Sequence, residues 1–421
     1  MQAATANFEL QQRLNNTALP WLRNARWDLG FLTLSVGLVA IPYAVYLFYV
    51  VFGGGSAQDA GVKGTTAYHA RVTVNYLVAL LIGGPHMYAT FTRTILDRDF
   101  LRKKFAFVAS SILVPIAVVT MILYSYESYV WLLTIFFSMA SIHALHQLVW
   151  VSEAYNKRSG FRLSLFSRLV DYGVVFSSLY PIAVWKMADR RFNIGPMSLK
   201  FNDILGGHYW LAYLAFAAFF GMLLLFIGKT AVEVRDGRFN LPKTLLISLT
   251  VTVMFWTPTM PNMDTAFQGI NVWHSFQYLA LTWYANRLRE QRSGRRIGFL
   301  HLWEDLSKRV RRASGTGAGL VRRGRALLAG TVGTLRKVDR DTGWSTFYML
   351  CLSMLPISGI LILAAGKFWP HVHGDLPGSD EAYTYMGILS VLLVHYVHDA
   401  LLFTDHDAIV EAAPPGPGAS A

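Results

Sequence analysis

Long apolar runs separated by short polar loops occupy most of this chain. A helix needs about 20 mostly apolar residues to cross the hydrocarbon core of a bilayer. Ten runs approach or exceed that length: 29–53, 70–92, 105–125, 129–151, 164–187, 208–231, 243–261, 265–285, 346–366 and 382–403. The fifth and the eighth carry the most polar interruptions. The pattern predicts an all-α fold, a polytopic integral membrane bundle of about ten transmembrane helices. Residues 1–28 show no basic-then-apolar pattern of a cleavable signal, and the run at 29–53 is too long for a signal core. The expected organisation is a cytoplasmic N-terminal segment (1–28), spans one to eight (29–285), a basic amphipathic cytoplasmic segment (286–345), spans nine and ten (346–403), and a disordered tail (404–421) ending in PPGPGASA.

Charge gives the orientation. Lys and Arg flank alternate loops: Arg23 and Arg26 before span one, Arg93 to Lys104 after span two, Lys157 to Arg162 after span four, and Lys229 to Lys243 further on. The loops 126–128 and 262–264 carry none, whereas loop 188–207 breaks the pattern with Arg190, Arg191 and Lys200. The positive-inside rule then places both termini in the cytoplasm, in a bacterial inner membrane. Charged residues make up only 15% of the chain and hydrophobic ones 53%, as in a polytopic membrane protein. The net charge of +13 is concentrated in the loops and in 287–340, so it reads as a topology signal and a surface for anionic lipid. It does not read as a nucleic-acid surface. A single cysteine, Cys351, excludes a disulfide framework and a Cys-based zinc or iron–sulfur site.

Six histidines fall inside predicted spans: His86, His143, His146, His274, His395 and His398. Ionisable side chains are costly in lipid and mark functional sites there. Four of them form the HxxH pairs HALH (143–146) and HYVH (395–398), and residues three apart share a helix face. The six lie on spans two, four, eight and ten, which all run from outside to inside. At 1.5 Å per residue they fit one band just to the cytoplasmic side of the midplane. This predicts an intramembrane metal site with all six as ligands. Gly83, Gly84 and Pro85 would break span two and aim His86 inward. A ligating imidazole usually donates its other N–H to a nearby acceptor. Gln147, Glu153, Asn271, Gln277 and Asp399 are the expected supporting partners. Trp150, Trp273 and Tyr278 are the expected lining of an apolar substrate pocket. His69, His208, His301, His371, His373 and His406 lie in loops or at span ends and are not expected to be ligands.

Histidine with carboxylate help suits iron, zinc or copper. The near absence of Met or Cys beside these residues argues against a soft copper(I) site, and six ligands at one depth exceed what one haem takes. The expected cofactor is therefore non-haem iron, mono- or dinuclear, with zinc or copper as alternatives and haem less favoured. The GGPH element at 83–86, with Asp97 further on, resembles the Pro-His element of the Brp/Blh family. Those polytopic proteins carry an all-His iron site and cleave β-carotene to retinal. Where that family usually has Gly after the His and Asp three positions on, this chain has Met87 and Ala89. The pairing of WHSFQY with a late HYVHD is similar to uncharacterised bacterial His-rich membrane proteins. The resemblance implies an oxygenase-like enzyme acting on a lipophilic small-molecule substrate, with an electron donor as a possible partner. The alternatives are a membrane haem or quinone redox protein and a transporter of metal ions or protons.

The topology makes a direct prediction. In intact cells, a thiol placed by Glu127→Cys should react with a membrane-impermeant maleimide, and one placed by Leu320→Cys should react only after lysis. Labelling of position 320 from outside would overturn the orientation.

Overall fold

The computed structural model describes residues 19–161, 163–302, 304–305, 308, 342–370 and 372–410. Of the tail expected to be disordered over 404–421, residues 404–410 are instead ordered, with a turn at His406–Ile409 that buries Ile409; residues 411–421, the first 18 residues, most of the basic 286–345 segment and His371 lie outside the described residues. Each predicted run corresponds to helix. In chain order these are α1 (Ala25–Phe52), α2 (Thr66–Thr92), α3 (Ser110–Tyr124), α4 (Tyr126–Ser159), α5 (Leu165–Ser178), α6 (Tyr180–Ala188), α7 (Tyr209–Arg235), α8 (Leu241–Trp256), α9 (Met263–Ser293), α10 (Trp344–Phe368) and α11 (Ser379–Leu402). Six of them, α1, α2, α4, α7, α10 and α11, are long and apolar enough to cross a membrane. α3 is apolar but shorter. The fifth run divides into α5 and α6 beside Pro181, whose missing N–H and fixed φ suit a helix start. α9 is long but polar, because Asp264, His274, Gln277 and Asn286 all turn inward and are buried.

Local chemistry sets the helix ends. Ser125 and Ser128 exchange side-chain and backbone hydrogen bonds at the start of α4, and Gly160 ends it in the left-handed region at φ 71°. Asn262 caps α9 through the Thr265 N–H. The only strands among the described residues, β1 (Asn193–Ile194) and β2 (Met197–Ser198), make a two-residue antiparallel hairpin.

Large apolar side chains such as Phe52, Leu113, Leu224 and Leu363 are exposed on the outer faces. Inside, the helices pack closely where small residues permit it. A Cβ on Gly269 of α9 would stand 2.3 Å from the Val39 carbonyl oxygen of α1. One on Gly387 of α11 would stand 2.3 Å from Ile362 of α10. Buried ion pairs fix the ends of the bundle. Arg71 of α2 bonds Asp264 of α9 at 2.6 Å and Glu381 of α11 at 2.5 Å, and the Gly195 N–H of the hairpin donates to Asp264 at 2.9 Å.

Gly269→Ala should therefore destabilise the bundle by about 1–3 kcal/mol, the usual cost of overpacking. Gly221→Ala, where a Cβ meets nothing within 4 Å, should not. Thermal unfolding of the detergent-solubilised protein reads the difference, and equal midpoints for the two variants would contradict the close α1–α9 contact.

Candidate metal centre

His86 owes its position to a local break in α2. Residues Ala79–Gly83 form a wide π-type turn, followed by Gly84 and Pro85. Pro85 has no N–H to give to the carbonyl four residues back, Leu81. The Tyr348 hydroxyl of α10 donates to that freed oxygen. Gly83 and Gly84 leave room for neighbours: a Cβ at 84 would meet Leu355 of α10 at 2.1 Å, and one at 83 would meet Asn271 of α9 at 3.0 Å. The His86 Nδ1–H donates to the Gly83 carbonyl at 3.1 Å, which leaves the Nε2 lone pair facing inward.

Four histidines meet there, one from each of α2, α4, α9 and α11: His86, His143, His274 and His395. Each offers a ring nitrogen, and the four nitrogens all lie within 4.8 Å of one another. All four residues are buried. The Nε2 atoms of His86 and His274 are 3.1 Å apart. Nitrogens held at about 2.0–2.1 Å around one tetrahedral ion stand roughly 3.3 Å apart, so this spacing suits a shared cation. Several donors here have no hydrogen-bond partner: His143 Nε2, His395 Nε2, His274 Nδ1 and Asp399 Oδ2. Buried polar atoms are nearly always paired, so a cluster of unpaired donors in one place has the chemistry of a metal-binding set. The group could hold a metal ion.

The carboxylate of Asp399 stands beside this set. Its Oδ1 accepts hydrogen bonds from the Tyr278 hydroxyl at 2.6 Å and the Thr90 hydroxyl at 2.9 Å. With its single proton given to Asp399, Thr90 accepts from His395 Nδ1–H at 2.5 Å. That fixes the His395 tautomer and leaves Nε2 unprotonated. Asp399 Oδ2 then lies 3.6 Å from His395 Nε2 and 3.7 Å from His143 Nε2. Gln147 donates to Gln277 at 2.6 Å, and Gln277 donates to the Leu32 carbonyl at 2.9 Å, tying α4, α9 and α1 beside the centre.

Of the six expected ligands, the structure brings four together, His86, His143, His274 and His395. His146 packs edge-on against Phe403 with centroids 5.4 Å apart, and it is half-buried. His398 faces Thr94 Oγ1 at 3.1 Å and Ser111 Oγ at 3.4 Å, among Phe91, Phe100 and Phe107. Residues three apart lie about 4.5 Å along the axis and about 60° around it. They share a face but not a point, so one histidine of each HxxH pair reaches the centre. Glu153 does not support the site: ten residues beyond His143, it is held by Arg168 at 2.9 Å and Tyr172 at 2.6 Å. Asn271 bonds Gln268 and Ser275 rather than an imidazole. Thr90 was not anticipated. Its position four residues after His86, within the same apolar span, is the signal that could have found it.

Two cavities lie on the helices that carry the centre, and neither the four histidines and Asp399 nor Trp150, Trp273 and Tyr278 line them. Trp150 donates to the Asp405 carbonyl, Trp273 is fully buried, and Tyr278 serves Asp399. The first cavity, about 190 Å³, is lined by Met87, Asn271 and Leu392, each within three residues of a centre histidine. The second, about 370 Å³, is walled by Ala140, Ala266, Phe267 and Ile270 and is almost wholly apolar. Ala140 and Ile270 precede His143 and His274 by about one helical turn. Phe137 and Phe267, with centroids 4.8 Å apart, belong to both walls.

No protein-family model matches the chain, and no curated protein or solved structure matches it either.

Metal analysis of purified protein separates the two kinds of histidine. His143→Ala and His395→Ala should each lower bound metal at least tenfold, the loss expected when a ligand goes. His146→Ala and His398→Ala should retain it. Equal loss in all four variants would restore the larger site.

Proposed function

We propose that this chain is an integral membrane oxidoreductase of about ten spans, with both termini cytoplasmic, that uses a single non-haem iron to oxidise a lipophilic substrate with O₂. One observation carries the reading. Four imidazoles whose ring nitrogens lie within 4.8 Å of one another are buried between four helices, and residues one turn before His143 and His274 wall an apolar cavity of about 370 Å³. A porphyrin fills four positions of its iron with its own nitrogens and takes at most two protein ligands. Four convergent histidines therefore favour a non-haem ion. Imidazole suits iron, zinc, copper and nickel alike. Iron is preferred for the hard carboxylate of Asp399 at the edge of the set and for the resemblance of the GGPH element to an iron-dependent family. When bound there, iron with an open position supplies activation of O₂.

The chain's own residues divide the remaining work. His86 and His395 are held as single tautomers by the Gly83 carbonyl and Thr90. Asp399, oriented by Tyr278 and Thr90, keeps a carboxylate oxygen beside His143 and His395, where it can hold a proton or complete the set. Ala140, Ala266 and Ile270 give the second cavity an apolar wall that accepts a lipid-soluble molecule and excludes water. An entry from the bilayer suits a substrate that partitions there.

Oxygen uptake by iron-loaded protein with a lipid extract of the host membrane, followed by mass spectrometry for products gaining oxygen, tests this reading. Ala140→Leu and Ala266→Leu, which narrow the cavity, should lower turnover roughly tenfold while bound iron stays constant. Full activity in metal-free protein, or a stoichiometric haem in the optical spectrum, would sink the proposal.

A further inference from the structure

A second set of buried charges lies away from the histidines, where α5, α7 and α8 meet. Lys229 bonds Asp171 Oδ1, and Lys243 Nζ stands 3.0 Å from Asp171 Oδ2. Glu233 Oε1 is 3.3 Å from Lys229 and 3.8 Å from Lys243. The four charges sum to zero, and all four residues are buried. The pairing is uneven. Both oxygens of Asp171 accept a lysine hydrogen bond, whereas neither oxygen of Glu233 accepts any, although Glu233 is only 3% exposed.

Glu233 lines a groove of about 320 Å³ between α5 and α7. At this end the groove also presents Lys229, Ser167 and Arg238, whose Asp236 partner is shared with Arg235. At the other end it presents Phe166, Leu224 and Leu225, all exposed. Leu224 is nine residues before Glu233 on α7, roughly 13 Å along the axis. Between them Gly228 leaves the groove open, because a Cβ there would meet nothing within 4 Å.

We propose that this groove binds one phospholipid bearing a primary-ammonium headgroup, of the phosphatidylethanolamine kind. The ammonium donates N–H bonds to the carboxylate of Glu233, which accepts no hydrogen bond from the lysines it is ion-paired with, and charge-assisted bonds of this kind are the strong ones. Arg238 receives the phosphate, and an acyl chain lies over Gly228 against Leu224, Leu225 and Phe166. A choline headgroup has no N–H to give. A glycerol headgroup brings net negative charge to Glu233 without a cation, and a serine headgroup adds a second carboxylate there. A soluble amine would leave the apolar end of the groove unused.

Native mass spectrometry of the full chain in detergent, titrated with palmitoyl-oleoyl lipids of four headgroups, decides the matter. The ethanolamine lipid should be retained at about tenfold lower concentration than the choline, glycerol or serine lipid, a difference of about 1.4 kcal/mol. Gly228→Leu, which leaves the charge tetrad intact, should bring ethanolamine-lipid binding down to the choline level. Glu233→Gln should erase the headgroup preference. Equal retention of the choline or glycerol lipid, no effect of Gly228→Leu, or displacement of the lipid by equimolar O-phosphoethanolamine would each overturn the proposal.

Discussion

Buried away from water, a polar atom without a partner costs several kcal/mol. This constraint organises the molecule. The Leu81 carbonyl freed by Pro85 is taken by Tyr348. Asp28 at the start of α1 accepts from the Leu22 and Arg23 N–H groups and from Tyr155. Arg71 is neutralised by two carboxylates from two other helices. Against this background, the unpaired nitrogens of His143, His274 and His395 and the unpaired oxygen of Asp399 stand out because they lie together. The orphans on α4 and α11, His143 Nε2 and His395 Nε2, stand 3.7 and 3.6 Å from the orphan oxygen of Asp399 and so have the character of a site.

The same constraint explains why the helices carrying the site are irregular. The wide turn at Ala79–Gly83 leads into the Gly83 carbonyl that accepts from His86 Nδ1, and the glycines let α9 and α10 approach. Local disorder of the hydrogen-bond ladder and close interhelical packing are thus two consequences of one short sequence, GGPH. The Thr90–Asp399–Tyr278 network does the equivalent work for His395, holding α2, α9 and α11 in register around the centre.

Buried charge away from the centre follows a different logic. The Arg71 group and the Asp171–Lys229–Lys243–Glu233 group are close to neutral or fully neutral, and each joins three helices. Breaking such a pair strands a charge, so these groups specify which helices meet.

Much of the helical architecture was legible in the chain, because a long apolar run can satisfy its backbone hydrogen bonds within itself only as a helix. The break before His86, the importance of α9 despite its polarity, and the histidine-bearing helices were legible for the same reason. The sequence could not say which member of each HxxH pair reaches the centre. His143 and His146, or His395 and His398, share a face, and only the rotation of α4 and α11 against their neighbours separates them. Nor could it show that Glu153 is claimed by Arg168, that Thr90 links His395 to Asp399, or that small residues such as Ala140 and Ala266, rather than Trp150 and Trp273, wall the apolar cavity. Helix formation is a local matter of composition and hydrogen bonding. Convergence to within 4.8 Å depends on the relative rotation and depth of four helices, and only their packing decides that.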